Sequence, residues 1–270
     1  MRTLTKALVV AVAAVALGSL GARLASNSAH PKEIAGLWSL WPDARDDGDG
    51  VRFYFFHPDG IGLYRYGKIG LNTTNSFDWK VAGGELVLTF RKTGDVVKTP
   101  FSVDDQAHTL TLARDPKEPL VGTVRYTYVP PSAQAAQAPD LVDDAGADAR
   151  ASKVAGRLWI DQKKFATGGM GFSLYQLKDS AIDGRGVGWH HIGDFDDWST
   201  EALTFREGPK AIEFWFTLRG DHGKTALSRS GDTLTLVEDP RGFWHVHNYQ
   251  DAGPSFGSFS AYLAQRPSSP

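Results

Sequence analysis

The sequence predicts an all-β protein made of two tandem eight-stranded antiparallel barrels joined by an Ala/Pro/Asp-rich linker. Three observations point there. Short runs rich in Val, Thr, Phe and Tyr alternate with Gly- and Pro-containing turns, the pattern of many short strands. Motifs of the first half return, in the same order, in the second half. Between the two copies lies a stretch with few residues able to build a core.

In the first copy the strand-forming runs fall at 36–40, 51–57, 61–67, 75–81, 86–92, 97–103, 109–113 and 123–129. Pro58-Asp59-Gly60 reads as a tight turn, because Pro fixes φ and Gly accepts φ > 0. Gly83-Gly84 predicts a second hairpin. Eight short antiparallel strands in so short a stretch suit a closed barrel, which exposes no sheet edge. Strand periodicity alone fits a β-sandwich equally well.

The repeat is collinear. Thr109-Leu110-Thr111-Leu112 followed by Asp115-Pro116 returns as Thr233-Leu234-Thr235-Leu236 followed by Asp239-Pro240. Leu88-Thr89-Phe90-Arg91 returns as Leu203-Thr204-Phe205-Arg206, and Asp78-Trp79 as Asp197-Trp198. Ala35-Gly36-Leu37-Trp38 matches Ala155-Gly156-Arg157-Leu158-Trp159. The unit is longer than a solenoid or propeller repeat, so each copy should be a whole domain. The expected division is residues 1–29 as export signal or N-terminal anchor, 30–130 as the first barrel, 131–152 as linker and 153–270 as the second barrel. Ala, Pro and Asp dominate the linker, which reads as partly extended with room for a short helix.

Composition narrows the function classes. Apolar residues make up 41%, ample for a packed core, and the net charge of −2 comes without a Lys/Arg cluster. Phosphate binding needs such a basic patch, so no nucleic-acid partner is expected. Arg2 and Lys6 precede the apolar run 7–20, and small residues follow, the order of an export signal. That run is shorter than the ~20 residues needed to span a bilayer. A periplasmic or secreted protein follows, touching the membrane only through its N-terminal segment if that is uncleaved. With no cysteine, stability must come from packing rather than disulfides.

Gly36-Leu37-Trp38 opening the first strand resembles the Gly-x-Trp that begins lipocalins and their bacterial lipocalin-like relatives. Phe56-x-x-Asp59-Gly60-x-Gly62-x-Tyr64 and Phe77-x-Trp79…Gly84-x-Leu86-x-Leu88 are similar to the smaller lipocalin-like domains of exported bacterial proteins. The resemblance covers most of the first copy and is fainter in the second, where Gly156 and Trp159 are one residue further apart. It implies a small calycin-type antiparallel barrel, often with a pocket for an apolar molecule. Some barrels of this type are isomerases or cyclases.

The two copies differ in histidine. The second holds His190, His191, His222, His245 and His247, the first, beyond its opening residue His30, only His57 and His108. On a strand, His245 and His247 would share a face. Two alignments compete for the last strand of the second copy. In the favoured one, Gly257-Ser258-Phe259-Ser260-Ala261-Tyr262 is that strand and the residues before it are an insertion. In the other, Tyr126 and Tyr128 match His247 and Tyr249.

The expected site is a partly apolar, His- and aromatic-lined pocket in the second barrel. Its ligand-binding residues are Trp189, His190, His191, Phe243, His245, His247 and Tyr249, and its occupant a small hydrophobic or aromatic molecule. No cofactor is required by any motif. The set His191, His245 and His247 could instead supply three imidazoles to Zn²⁺ or a similar ion. The alternative function is therefore a barrel enzyme, metal-dependent or an acid/base isomerase or cyclase, built on these histidines. Phe214-Trp215-Phe216 must point at least one ring outward, and Trp215 is expected to bury the contact between domains. The acidic loop Asp43–Gly50 lacks the spacing of an EF-hand. No Gly-rich phosphate-binding loop opens a helix.

Overall fold

Alternation of buried and exposed side chains drives the sheet, with one apolar face per strand turned inward. The computed structural model describes residues 33–141, 154–165, 169–182, 184–242 and 246–253. Its first eight strands are β1 (Gly36–Ser39), β2 (Gly50–Phe56), β3 (Ile61–Lys68), β4 (Leu71–Ala82), β5 (Glu85–Phe90), β6 (Val96–Asp104), β7 (Thr109–Leu112) and β8 (Val124–Val129). Neighbours pair antiparallel, β8 returns to β1, and β4 pairs β5, so the sheet closes into an eight-stranded barrel. Its interior is filled by Trp38, Tyr54, Phe56, Phe77, Trp79 and Leu88, all buried. That is as wide as eight strands allow a side-chain core to be. The β4–β5 hairpin turns on Gly83 and Gly84, with φ of +63° and +80°. Two successive positive φ values match the twist of the flanking strands, and L side chains adopt them at a cost.

Residues 130–141 carry the helix α1 (Pro131–Gln137), followed by a turn. Ala133, Ala138 and Leu141 lie against Leu37, Val51 and Phe53 on the outer wall of the barrel.

Eight more strands lie outside this barrel: β9 (Arg157–Lys164), β10 (Met170–Ile182), β11 (Arg185–Asp194), β12 (Asp197–Glu207), β13 (Ala211–Phe216), β14 (Asp221–Ser230), β15 (Thr233–Leu236) and β16 (His247–Gly253). They pair antiparallel in chain order, and β16 also pairs β9. Trp159, Tyr175, Phe205, Phe214, Phe216 and Tyr249 form their buried core. Registers match across the halves. Tyr54 faces Trp38 and Tyr64, while Tyr175 faces Trp159 and His190. Leu110 faces Tyr126, and Leu234 faces Tyr249. Among the described residues the last strand is His247–Gly253, which pairs β15 and β9 as β8 pairs β7 and β1; the favoured strand at 257–262 lies outside the described residues. Tyr249, not His247, stands where Tyr126 does, so the other alignment was two residues out of register. This register sets Tyr249 opposite Leu234, where its hydroxyl reaches Asp239 as Tyr126 reaches Asp115.

The halves join where β4 pairs β12. Thr73 faces Ser199 at the centre, flanked by Asn72–Thr200 and Thr74–Trp198. The same strand of each half meets its counterpart, as in an isologous two-fold contact. Trp215 is not part of this seam: it stacks on His222, with Arg185 3.8 Å over its ring. Among the described residues no helix is long and apolar enough to cross a membrane.

Candidate functional site

At one end of the C-terminal half, β9, β10, β11 and the segment before β16 enclose an open pocket of about 520 Å³. Its apolar walls are Phe165, Phe172 and Ile192, and its polar groups include Asp161, Ser173, Arg241 and His247. Lys92 reaches it from the barrel and pairs with Asp194. This volume lies within the range of small-molecule sites.

The pocket is open because of two small residues. In the barrel, Arg52 occupies the inward position next to Phe53, where it is hydrogen-bonded to the Tyr64 hydroxyl and ion-paired with Glu118. The matching registers place Ser173 at the Arg52 position and Gly242 at the Glu118 position, three residues beyond the repeated aspartate. A long ion pair is thereby replaced by a hydroxymethyl group and a hydrogen. Around that space, His190 stands for Tyr64 and His247 for Val124.

Beneath the pocket runs a buried polar chain. Asp239 accepts hydrogen bonds from the Tyr175 hydroxyl at 2.7 Å and from the Tyr249 hydroxyl. Ser173 Oγ lies 3.1 Å from Tyr249 Oη and 2.9 Å from His190 Nε2. A carboxylate only accepts, so Tyr249 donates to it and must accept from Ser173. Ser173 in turn accepts from His190, which assigns the proton of that imidazole to Nε2. Burial pushes His190 down to about 3, so the ring is neutral. Burial, reinforced by Asp239, raises both tyrosines well above their ordinary range. With its Nε2 already a donor, His190 is not placed to take a proton from Ser173, and the pair is not an activated nucleophile. The barrel repeats the Asp–Tyr–Tyr part, with Asp115 accepting from Tyr54 at 2.9 Å and from Tyr126.

His247 forms the polar wall. Its Nδ1 lies 2.9 Å from Asp161 Oδ2, which orients the ring and places the Nδ1 proton toward the carboxylate. Its Nε2 is buried without a hydrogen-bond partner. Gly242 lies over that atom: a Cβ there would come within 2.3 Å of Nε2.

The expected residues separate. His247 lines the pocket, and His190 and Tyr249 lie directly below it through Ser173. Trp189 and His191 do not face it. Successive strand residues point to opposite sides, so His191 turns outward from His190. There it lies 3.0 Å from Thr200 Oγ1 and 3.3 Å from Gln176 Oε1, near the seam between the halves. Trp189 shares that outward side, under the ammonium of Lys178. Phe243 and His245 lie outside the described residues. His191 and His247 are therefore not brought together, and among the described residues no three His, Asp or Glu could hold a metal ion. Sequence reasoning missed Ser173, Asp161, Asp239 and Gly242. Asp239 had a signal, since the repeated Thr-Leu-Thr-Leu-x-x-Asp-Pro carries it in both copies. Ser173 had none until register paired it with Arg52.

At the seam, Arg65 and His191 occupy equivalent positions, opposite Thr74 and Thr200. Arg65 is buried and donates to both Asp140 oxygens, at 2.6 and 2.8 Å. Burial pushes the Asp140 carboxyl up, but the charge and hydrogen bonds of Arg65 outweigh it and hold it below the usual carboxylate range. His191 is driven by burial to about 4 and stays neutral.

No protein-family model matches the chain, and neither a curated protein nor a solved structure does.

Proposed function

We propose that this is an exported small-molecule-binding protein, two tandem lipocalin-like barrels of which the second holds the ligand. The leader-like N-terminus supports export, and the return of β16 to β9 together with the β11–β12 pairing supports a second barrel. The observation that carries the binding reading is the replacement of Arg52 and Glu118 by Ser173 and Gly242, where the pocket opens. The occupant sits against Phe165, Phe172 and Ile192, with His247 and Ser173 offering polar anchors. The acid/base alternative is left with the Asp161–His247 pair, since His190 is committed to the buried chain.

Two measurements test this. Native mass spectrometry on protein from its own host should show a bound small molecule. Calorimetric titration of the full chain with 1-naphthalenemethanol should give one site, abolished in Ser173→Arg, which restores the barrel's side chain. An unliganded mass together with no probe binding to the unaltered chain overturns the proposal.

A further inference from the structure

Charges around the pocket are not evenly satisfied. Lys92 is paired with Asp194. Arg241 is held by Glu201 through bonds of 2.8 and 3.0 Å and by Asp221 at 2.8 Å. Lys163, the third cation of the lining, is exposed and lies 3.7 Å from Asp161, so all three cations face carboxylates. Two lining carboxylates lack an equally close cation. Asp161 has the His247 Nδ1 at 2.9 Å and the exposed Lys163 ammonium no nearer than 3.7 Å. Asp197 has the Asn75 amide at 3.0 Å. Its carboxyl is pushed up by burial and then by Asp194, against the opposing charges of Lys92 and Lys117.

Acceptors predominate in the same way. Nε2 of His247 is buried beneath Gly242 without a hydrogen-bond partner. Ser173 accepts from His190 and donates to Tyr249, leaving one lone pair for the pocket. What this floor lacks is a group with several N–H donors and a positive charge.

Resting on the binding reading above, we infer that the pocket takes an apolar or aromatic amine, its ammonium docked on Asp161 beside His247 and its apolar body against Phe165, Phe172 and Ile192. A neutral or anionic molecule of the same shape finds the walls but not the counter-charge.

The test compares three probes sharing one ring system: 1-naphthylmethylammonium, 1-naphthalenemethanol and 1-naphthylacetate, each titrated into the full chain by calorimetry. The ammonium should bind at least about tenfold more tightly than the alcohol, the worth of one charge-assisted hydrogen bond. The acetate should bind more weakly than either. In Asp161→Asn, which keeps an acceptor for His247, the ammonium should fall to within about threefold of the alcohol while alcohol affinity is retained. Equal or reversed preference in the unaltered chain overturns the amine and leaves the binding site standing. An unchanged preference in Asp161→Asn overturns Asp161 as its anchor. No binding of any probe overturns the site itself.

Discussion

The two halves share a core and differ at its end. Both bury an aspartate that accepts from two tyrosines, Asp115 with Tyr54 and Tyr126, and Asp239 with Tyr175 and Tyr249. Both send the indole N–H of the opening tryptophan to a backbone carbonyl, Trp38 to Ile34 and Trp159 to Val154. Above that shared base, the barrel closes itself with Arg52 and Glu118, whereas the C-terminal half leaves Ser173, Gly242, His190 and His247 around open space. The Asp–Tyr–Tyr layer is common to both copies, whereas the rim above it and the seam between the halves differ.

The seam gives the comparison its largest expected effect. Arg65 carries a buried charge that Asp140 neutralises, while the equivalent His191 is neutral and needs no counter-ion. Asp140→Ala should cost about 3–5 kcal/mol, because it strands a guanidinium with no solvent or counter-ion and only the Thr74 hydroxyl as partner. The double variant Arg65→Met/Asp140→Ala should recover most of that loss. Urea unfolding checks both. A loss under 1 kcal/mol in the single variant would mean that Arg65 reaches water.

Acid is the next largest lever, and the two buried histidines it acts on both lie in the C-terminal half. His190 and His191 have native values of about 3 and about 4, against an ordinary 6.5. Because folding depresses them, the unfolded chain takes up protons that the native chain refuses. Their contribution is complete above about pH 6.5 and declines as the pH falls toward the native values. Between pH 6.5 and 4.5 each should remove about 2–3 kcal/mol. Urea midpoints across that range should flatten in His190→Gln/His191→Gln. An equal slope in the double variant would place the acid sensitivity elsewhere.

How much of this could be read beforehand depends on the range of the interaction. The eight strands of the first copy were legible because each carries its own alternation and turn residues, as at Pro58-Asp59-Gly60 and Gly83-Gly84. The repeat was legible at Thr-Leu-Thr-Leu and Asp-Pro, which are local strings. The string 88–91, by contrast, begins on β5, and its sequence match 203–206 lies on β12, the counterpart of β4, so that match is not a structural one. The pocket was not, since it depends on which residue of β10 stands where Arg52 does, and register is a pairing property. His190 and His191 looked alike in sequence, yet strand alternation sends one to the buried chain and the other to the seam. The register of the final described strand was missed for the same reason: Tyr249 reveals its equivalence to Tyr126 only through Leu234 and Leu110.

The smallest expected effect bears most directly on why one rim is open. At the Glu118 position a full side chain is tolerated; at Gly242 even a methyl group would come within 2.3 Å of His247 Nε2 and 2.9 Å of Asp239 Cβ. Gly242→Ala should therefore push the imidazole off Asp161 at a cost of about 1–2 kcal/mol, the usual scale for overpacking. Glu118→Ala, which loses a half-exposed partner of Arg52, should cost under about 1 kcal/mol. Nitrogen NMR of the His247 ring should report the broken Nδ1 bond in Gly242→Ala, and naphthalenemethanol binding should weaken with it. A stable Gly242→Ala with its His247 signals unmoved would show that the rim has room to spare, and the contrast between the halves would then rest on Ser173 alone.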